Sequence, residues 1–90
     1  MKFEWDSKKA LSNFRTHRVS FKEAVTALGD PMAATNTDPD HSLAEKRFIT
    51  FGISEHKRLL VVSHTEEGDT IRIISARPAN KREKKIYEEG

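Results

Sequence analysis

Three adjacent β-strands are predicted by one stretch of the chain, 47-RFITFGISEHKRLLVVSHTEEGDTIRIISAR-77. Side chains of Arg47–Ile53 alternate between two faces, and residues 58–64 and 70–77 are rich in valine and isoleucine, as is typical of strands. Residues 66–69 predict a hairpin turn. Because the connections are too short for a parallel crossover, we expect these strands to run antiparallel.

Weaker strand signals precede this stretch. Residues 32–36 predict a fourth strand of the same meander, followed by a polar connection over residues 37–44. Near the start of the chain, Phe3 and Trp5 predict a short strand with both aromatic rings facing inward.

A first helix is predicted to begin after Asp6, which is a suitable N-cap, and to end near Thr16. Its spacing of Ala10, Leu11 and Phe14 predicts that this face packs on the core.

A second helix is predicted after Ser20. The Ser20 hydroxyl and the Glu23 carboxylate have the spacing of a capping box, and Val19 can pack on Ala24. Gly29 is expected to end the helix in a left-handed conformation. The predicted apolar face consists of Phe21, Ala24, Val25 and Leu28.

Pro78 is expected to open a third helix that runs to about Glu88. The element order predicts an α+β fold, with helices on one face of an antiparallel sheet. We expect a single domain over residues 1–90, since a 10.3 kDa chain has little apolar material for a second core.

Composition excludes several classes of protein. The absence of cysteine removes disulfide scaffolds, thiolate nucleophiles and cysteine-based zinc sites. The first six residues lack the apolar run of a signal peptide, and no apolar run reaches the roughly 18 residues of a membrane span. A cytoplasmic protein without a membrane segment is therefore expected.

Cofactor motifs are also missing. The four glycines are isolated, so no phosphate-cradling loop or dinucleotide fingerprint is present. The four histidines show no pair on one helix face, and a Ser/His/Asp triad has no supporting pattern. We expect neither a cofactor nor a metal.

Basic residues are concentrated near the C-terminus. Residues 77–85 carry a net charge of +4, in a chain whose net charge is +2. A solvated helix face is the commoner reason for such a run, and a phosphate-binding patch containing Lys81 and Arg82 is the functional alternative. In that alternative Tyr87 would stack on a base or transfer a proton. Arg72 and Arg77 should lie on opposite faces of their strand unless a bulge intervenes.

Two further acid–base candidates lie earlier in the chain. Glu45 and Arg47 project to one face, either as a surface ion pair or as an acid beside a phosphate-stabilising arginine. His17, between the first two helices, is either a capping or packing residue or the best single proton carrier, because its reference pKa is near neutral.

Segments along nearly the whole chain carry a family resemblance. They are FEWD at 3–6 with Lys9 and Asn13, His17 before VSFKEA at 19–24, Asp30-Pro31, Glu45-Lys46-Arg47 leading into Gly52, and IRIISAR at 71–77 with Glu83 and Tyr87. In this order they resemble the BrnT family of bacterial type II toxins, which are RelE-like ribonucleases. That family commonly has glycine after the histidine, where this chain has Arg18, and arginine would be strained there if the backbone needs a positive φ.

The resemblance implies a RelE-like fold and metal-independent cleavage of mRNA that inhibits translation. Attack of a ribose 2′-OH on the adjacent phosphate requires RNA, a base, an acid and positive charge. The implied roles are phosphate stabilisation by Arg77 and Arg47 with Arg72, proton transfer by His17 or Glu45, stacking or support by Tyr87, and backbone binding by Lys81 and Arg82.

The resemblance also implies a partner. This is a BrnA-like antitoxin with a ribbon-helix-helix domain, which forms a heterotetramer that binds operator DNA. Two alternatives remain open: a non-catalytic module that binds nucleic acid or protein through the basic C-terminal helix, and a small structural domain.

Overall fold

The structure, a computed structural model, describes residues 1–38 and 46–89. Its elements are β1 (Lys2–Glu4), α1 (Ser7–His17), α2 (Phe21–Leu28), β2 (Ala34–Thr37), β3 (Arg47–Ile53), β4 (Leu59–Glu67), β5 (Thr70–Pro78) and α3 (Lys81–Glu89). The sheet order is β1-β5-β4-β3-β2, and β2 to β5 form an antiparallel meander. The predicted α+β class is confirmed. Beyond Asp38, the predicted polar connection lies outside the described residues.

Strand β1 differs from the expected arrangement. It pairs in parallel with β5, because the whole intervening chain serves as the crossover between them. Phe3 lies half-exposed at this edge, so it does not face inward as expected. Trp5 follows the strand and packs edge-on against Phe21, with the ring centroids 6.0 Å apart. One of the two N-terminal aromatic rings therefore reaches the core.

Helix α1 begins as predicted but turns a different face to the sheet. The Asp6 carboxylate accepts hydrogen bonds from the first-turn amides, which lowers its pKa. The expected packing of Leu11 and Phe14 is wrong, because these side chains are 53% and 44% exposed. Asn13 is buried instead, and its amide makes three hydrogen bonds to the backbone of Val19 and Ala76. This polar anchor sets the orientation of the helix.

Helix α2 confirms half of its predicted capping box. The Ser20 hydroxyl accepts a hydrogen bond from the Glu23 amide at 3.0 Å, but the Glu23 carboxylate points into the interior and does not return to Ser20. The left-handed conformation expected at Gly29 is also absent, since its φ is −87°. It occurs at the end of α1, where Arg18 has φ 58° and ψ 33°.

The main core lies between the sheet and helices α1 and α2. It contains eight buried residues: Val19, Phe21, Ala24, Ala27, Leu60, Val62, Ile73 and Ala76. Helix α2 approaches β3 so closely that a Cβ on Gly52 would lie 2.2 Å from the Ala27 carbonyl oxygen. Only glycine fits at this contact. No helix within residues 1–38 and 46–89 is long and apolar enough to cross a membrane.

Helix α3 covers the opposite face of the sheet, contrary to the expectation that all helices share one face. A second small core forms there from Leu59, Val61 and Ala79, with Tyr87 packed against it. The expectation that Pro78 opens this helix is wrong, because Pro78 is the last residue of β5 and the helix begins at Lys81, after Asn80, whose side chain accepts a hydrogen bond from the Glu83 amide. We call this side of the sheet the α3 face.

Candidate functional site

A β-bulge places two of the predicted arginines on the same side of the sheet. Ser63 of β4 pairs with Ser75, whereas His64 pairs with Ile73, so Ile74 is an extra residue in β5. The bulge reverses the alternation between Arg72 and Arg77. Both therefore project from the α3 face.

A third arginine joins them through the strand register. Arg47 of β3 pairs with Thr65 of β4, and Thr65 pairs with Arg72 of β5. Residues opposite one another across a sheet share a face, so Arg47, Thr65 and Arg72 form one row. Two strand spacings separate the arginine Cα atoms by about 10 Å. We call Arg47, Arg72 and Arg77 the arginine group.

Arg77 lies about 13 Å along the sheet from this row, because four paired positions separate them. Its Nη1 and Nη2 atoms each donate to the Glu83 carboxylate at 2.9 Å. These bonds raise the pKa of Arg77 and lower that of Glu83. Glu83 also exchanges hydrogen bonds with Asn80 at the start of α3, which forms a reciprocal cap. Arg77 thus holds the helix against the sheet.

Tyr87 makes the second connection between α3 and the body of the protein. Its hydroxyl donates to Asp30 Oδ2 at 2.9 Å, and burial followed by the Asp30 contact raises its pKa. Asp30 also accepts backbone hydrogen bonds from Met32 and Ile53, which lower its own pKa. In the sequence, Asp30-Pro31 indicates only the end of a helix, and no local pattern predicts this contact with Tyr87.

Four basic residues lie on α3, the helix that Glu83 connects to Arg77. Lys81, Arg82, Lys84 and Lys85 are all exposed, and Glu83 is turned toward Arg77. Beside α3, a cleft of about 660 Å³ opens over β2 and β3, lined by apolar and aromatic side chains that include Phe51 and Tyr87 and by Glu83, Glu88 and Glu89. The α3 face therefore combines guanidinium groups, ammonium groups and aromatic rings. The guanidinium and ammonium groups suit a phosphate backbone, whereas the cleft itself is bordered by carboxylates.

Of the two candidate proton carriers, His17 does not join this geometry. His17 is the last residue of α1 and lines a cleft of about 210 Å³ with Asn13 and Ile74, on the side of the sheet away from the arginine group. Glu45 lies outside the described residues. Within the described ranges, no three His, Cys, Asp or Glu side chains are grouped so that they could hold a metal ion.

Comparison with known proteins identifies the family of the chain. The family described as "Ribonuclease toxin, BrnT, of type II toxin-antitoxin system" matches residues 5–83. The chain belongs to the BrnT family. This match extends from Trp5 to Glu83 and so includes the whole arginine group.

A solved BrnT structure shares the fold. The crystal structure of the Brucella abortus ribonuclease toxin BrnT has a TM-score of 0.65 and 23% sequence identity, covering 90% of this chain and 99% of that chain. At this identity the likeness supports the fold alone. None of the curated proteins compared matches the chain.

One residue of this BrnT-family chain departs from the expected backbone chemistry. Arg18 occupies the position after His17 where the resemblance predicts glycine, and its φ of 58° is one that L-residues avoid. The Arg18 guanidinium lies 6.0 Å from the centroid of the Phe14 ring. Arginine therefore keeps the helix-ending conformation of glycine at a cost in backbone energy.

A buried ion pair lies on the face of the sheet that α1 and α2 cover, which we call the helix side, and no pattern in the sequence predicts it. Glu23 accepts from Arg58 at 2.6 and 2.7 Å and from the Ser54 hydroxyl at 2.7 Å. Arg58 also donates to the Arg18 carbonyl, so this cluster joins both N-terminal helices to the β3–β4 turn. These contacts lower the pKa of Glu23, with the Arg58 hydrogen bonds as the largest cause. The cluster is distant from the arginine group and supports the fold.

His64 is a second buried polar residue on the helix side. Its Nε2 atom lies 2.7 Å from the Thr50 hydroxyl, which lies 2.7 Å from that of Thr35. Its ring stacks on Phe48, and burial lowers its pKa. No sequence pattern separated His64 from the other histidines.

Proposed function

We propose that this chain is an endoribonuclease that cleaves mRNA without a metal ion and thereby inhibits translation in the cytoplasm. Membership of the BrnT family supports ribonuclease activity. The single structural observation behind the proposed mechanism is the arginine group on the α3 face, where the β5 bulge puts Arg77 on the same side of the sheet as Arg47 and Arg72.

The reaction is an attack of the ribose 2′-oxygen on the adjacent phosphorus. The new P–O2′ bond forms as the P–O5′ bond breaks, leaving a 2′,3′-cyclic phosphate and a free 5′-hydroxyl. One group removes the 2′-OH proton and another donates a proton to the leaving oxygen. DNA lacks the attacking hydroxyl and would not be cleaved.

The arginine group supplies the positive charge for this reaction. Arg47 and Arg72 would hold a phosphate between them across Thr65, since both project from one row of the sheet. Their attraction for the dianionic phosphorane would exceed that for the monoanionic phosphodiester, which is the condition for faster chemistry. Arg77 would bind a phosphate farther along the strand, with Lys81 and Arg82 holding the RNA backbone.

Proton transfer is proposed for Glu45 or His17. Glu45 precedes Arg47 by two residues, whereas His17 lies across the sheet from the arginine group. We therefore favour Glu45 as the residue that moves the 2′-OH proton. Tyr87 has a supporting role in this proposal, because its hydroxyl donates a hydrogen bond to Asp30 and this contact orients α3.

Cleavage of a defined RNA in EDTA by purified protein tests the proposal, with a 2′-deoxy substrate as the chemical control. Arg47→Ala and Arg77→Ala are each expected to slow cleavage at least a hundredfold, or about 3 kcal/mol of transition-state stabilisation. The matched control is Arg15→Ala, which removes an exposed arginine from α1. Full activity and toxicity in both site variants would refute the site. Salt-sensitive RNA binding without cleavage would instead favour a non-catalytic module that uses the basic helix.

The family implies an antitoxin as the partner of this toxin. We propose that this antitoxin is BrnA-like, carries a ribbon-helix-helix domain and forms a heterotetramer that binds operator DNA. Light scattering on the co-purified complex tests the stoichiometry. Two copies of each chain are expected, and one copy of each would contradict the proposal.

A further inference from the structure

The outward side of α1 forms an apolar and basic surface with no partner in the described chain. It consists of Lys8, Leu11, Phe14, Arg15 and Arg18, opposite the buried Asn13, and we call it the α1 outer surface. Leu11 and Phe14 are three residues apart and therefore adjacent on the helix. They are 53% and 44% exposed, so they present adjacent apolar area to the solvent on this side of the helix.

The charge of this surface is of one sign. Residues 7–18 contain four lysines and arginines, Lys8, Lys9, Arg15 and Arg18, and no acidic residue. A surface that combines leucine and phenylalanine with several cations is complementary to an amphipathic helix that carries apolar and acidic residues.

The backbone at Arg18 provides an independent observation. Its left-handed conformation costs about 1 kcal/mol or more relative to glycine. The side chain retained at that cost lies over Phe14 at the centre of the outer surface, 6.0 Å from the ring centroid. A strained residue that contributes a charge and a ring contact to an exposed patch indicates that its side chain has a use there.

We infer that the α1 outer surface binds an acidic, amphipathic helix of the antitoxin. This inference rests on the antitoxin partnership proposed above and names the surface that this partner recognises. Leu11 and Phe14 would enter the apolar side of that helix, and Arg15 and Arg18 would pair with its carboxylates. The contact lies on the helix side of the sheet, away from the arginine group. The surface that anchors the antitoxin is therefore separate from the α3 face, where the antitoxin would block the RNA.

Binding of the purified antitoxin to the full-length toxin tests this inference. The variant Leu11→Ser/Phe14→Ser is expected to weaken the affinity at least about tenfold, because two central apolar contacts are lost. The comparison variant is Met32→Ser/Ile86→Ser, which removes two exposed apolar side chains that line the cleft on the α3 face and should weaken the affinity less than Leu11→Ser/Phe14→Ser does. Arg15→Glu/Arg18→Glu should slow association most at low ionic strength.

The controls separate this inference from the proposed ribonuclease activity. RNA cleavage by Leu11→Ser/Phe14→Ser should equal that of the wild type, and its urea unfolding should show an intact fold. Loss of cleavage in every protein would refute the proposed activity while leaving the binding assay informative. Unchanged antitoxin affinity in the α1 variants would overturn the inference, as would dissociation of a toxin dimer by the same substitutions without any change in antitoxin affinity.

Discussion

Replacing Arg58 with methionine tests the ion pair that joins helices α1 and α2 to the β3–β4 turn. Arg58 donates two hydrogen bonds to Glu23, whose side chain is only 4% exposed. Without Arg58, the carboxylate would remain buried with the Ser54 hydroxyl as its hydrogen-bond donor. Breaking a buried pair in this way costs about 3–5 kcal/mol. Because Arg58 is itself 37% exposed and water can partly replace it, we expect a loss near 3 kcal/mol, the lower end of that range.

The double variant Glu23→Gln/Arg58→Met isolates the charge. It removes the buried carboxylate together with its partner, so its free energy of unfolding should exceed that of Arg58→Met by about 2 kcal/mol. Urea unfolding measures the free energy of unfolding of each variant. Its probe is the fluorescence of Trp5, the only tryptophan, which packs against Phe21 of the core. A loss below about 1 kcal/mol for Arg58→Met, or a double variant as unstable as the single one, would refute the reasoning.

The difference in stability between Arg58→Met and the wild type should depend on pH in a definite direction. In the wild type, Arg58 holds the pKa of Glu23 below its usual 4.5. This contribution is fully present above pH 4.5 and is lost as the pH falls through the lowered pKa. In Arg58→Met, burial would raise the pKa of Glu23, so acidification from neutral pH should stabilise the variant relative to the wild type. A stability gap that is constant between neutral pH and pH 4.5 would contradict this account.

Three further predictions concern other buried contacts. Asn13→Ala should lower the free energy of unfolding by about 3 kcal/mol in urea titrations, because it leaves buried backbone groups without partners. Gly52→Ala should cost about 3 kcal/mol and lower the thermal midpoint, whereas Gly29→Ala, whose nearest contact would be 3.5 Å away, should not. Since burial lowers the pKa of His64 from 6.5, stability should fall as the pH drops below 6.5, and His64→Gln should reduce that fall in unfolding titrations.

Local signals in the sequence were sufficient for much of the fold. Asp6 caps α1 as predicted, and the bounds of β3 agree residue for residue with the alternating pattern of Arg47–Ile53. The glycine that the family commonly has at the position of Arg18 pointed to a positive φ there, and Arg18 has one. Each of these features depends on residues that are close together in the chain, where a short side chain or a periodic pattern acts directly on the backbone.

Features that depend on distant residues could not be predicted. Glu23 and Arg58 are 35 positions apart, and Asn13 reaches across 63 positions to Ala76. No local pattern distinguishes Glu23 in a buried pair from a glutamate that caps its own helix. The orientation of α1 was wrong for the same reason, since Asn13 outweighs the apolar spacing of Leu11 and Phe14. In a small core, a few long-range polar contacts decide how the helices lie.

Within the arginine group, Arg77 has a structural contact as well as a proposed role in catalysis. Variants of Arg77 therefore need a control that separates the two. Arg77 holds Glu83 and hence α3, so Arg77→Ala removes both a charge from the α3 face and a contact that positions the helix. Glu83→Ala removes the same contact, together with the hydrogen bond from the Asn80 amide at the start of α3, but leaves the guanidinium in place. If helix position controls cleavage, both variants should be slow. If charge controls it, only Arg77→Ala should be slow, and Glu83→Ala should bind RNA more tightly because the guanidinium no longer has a carboxylate partner.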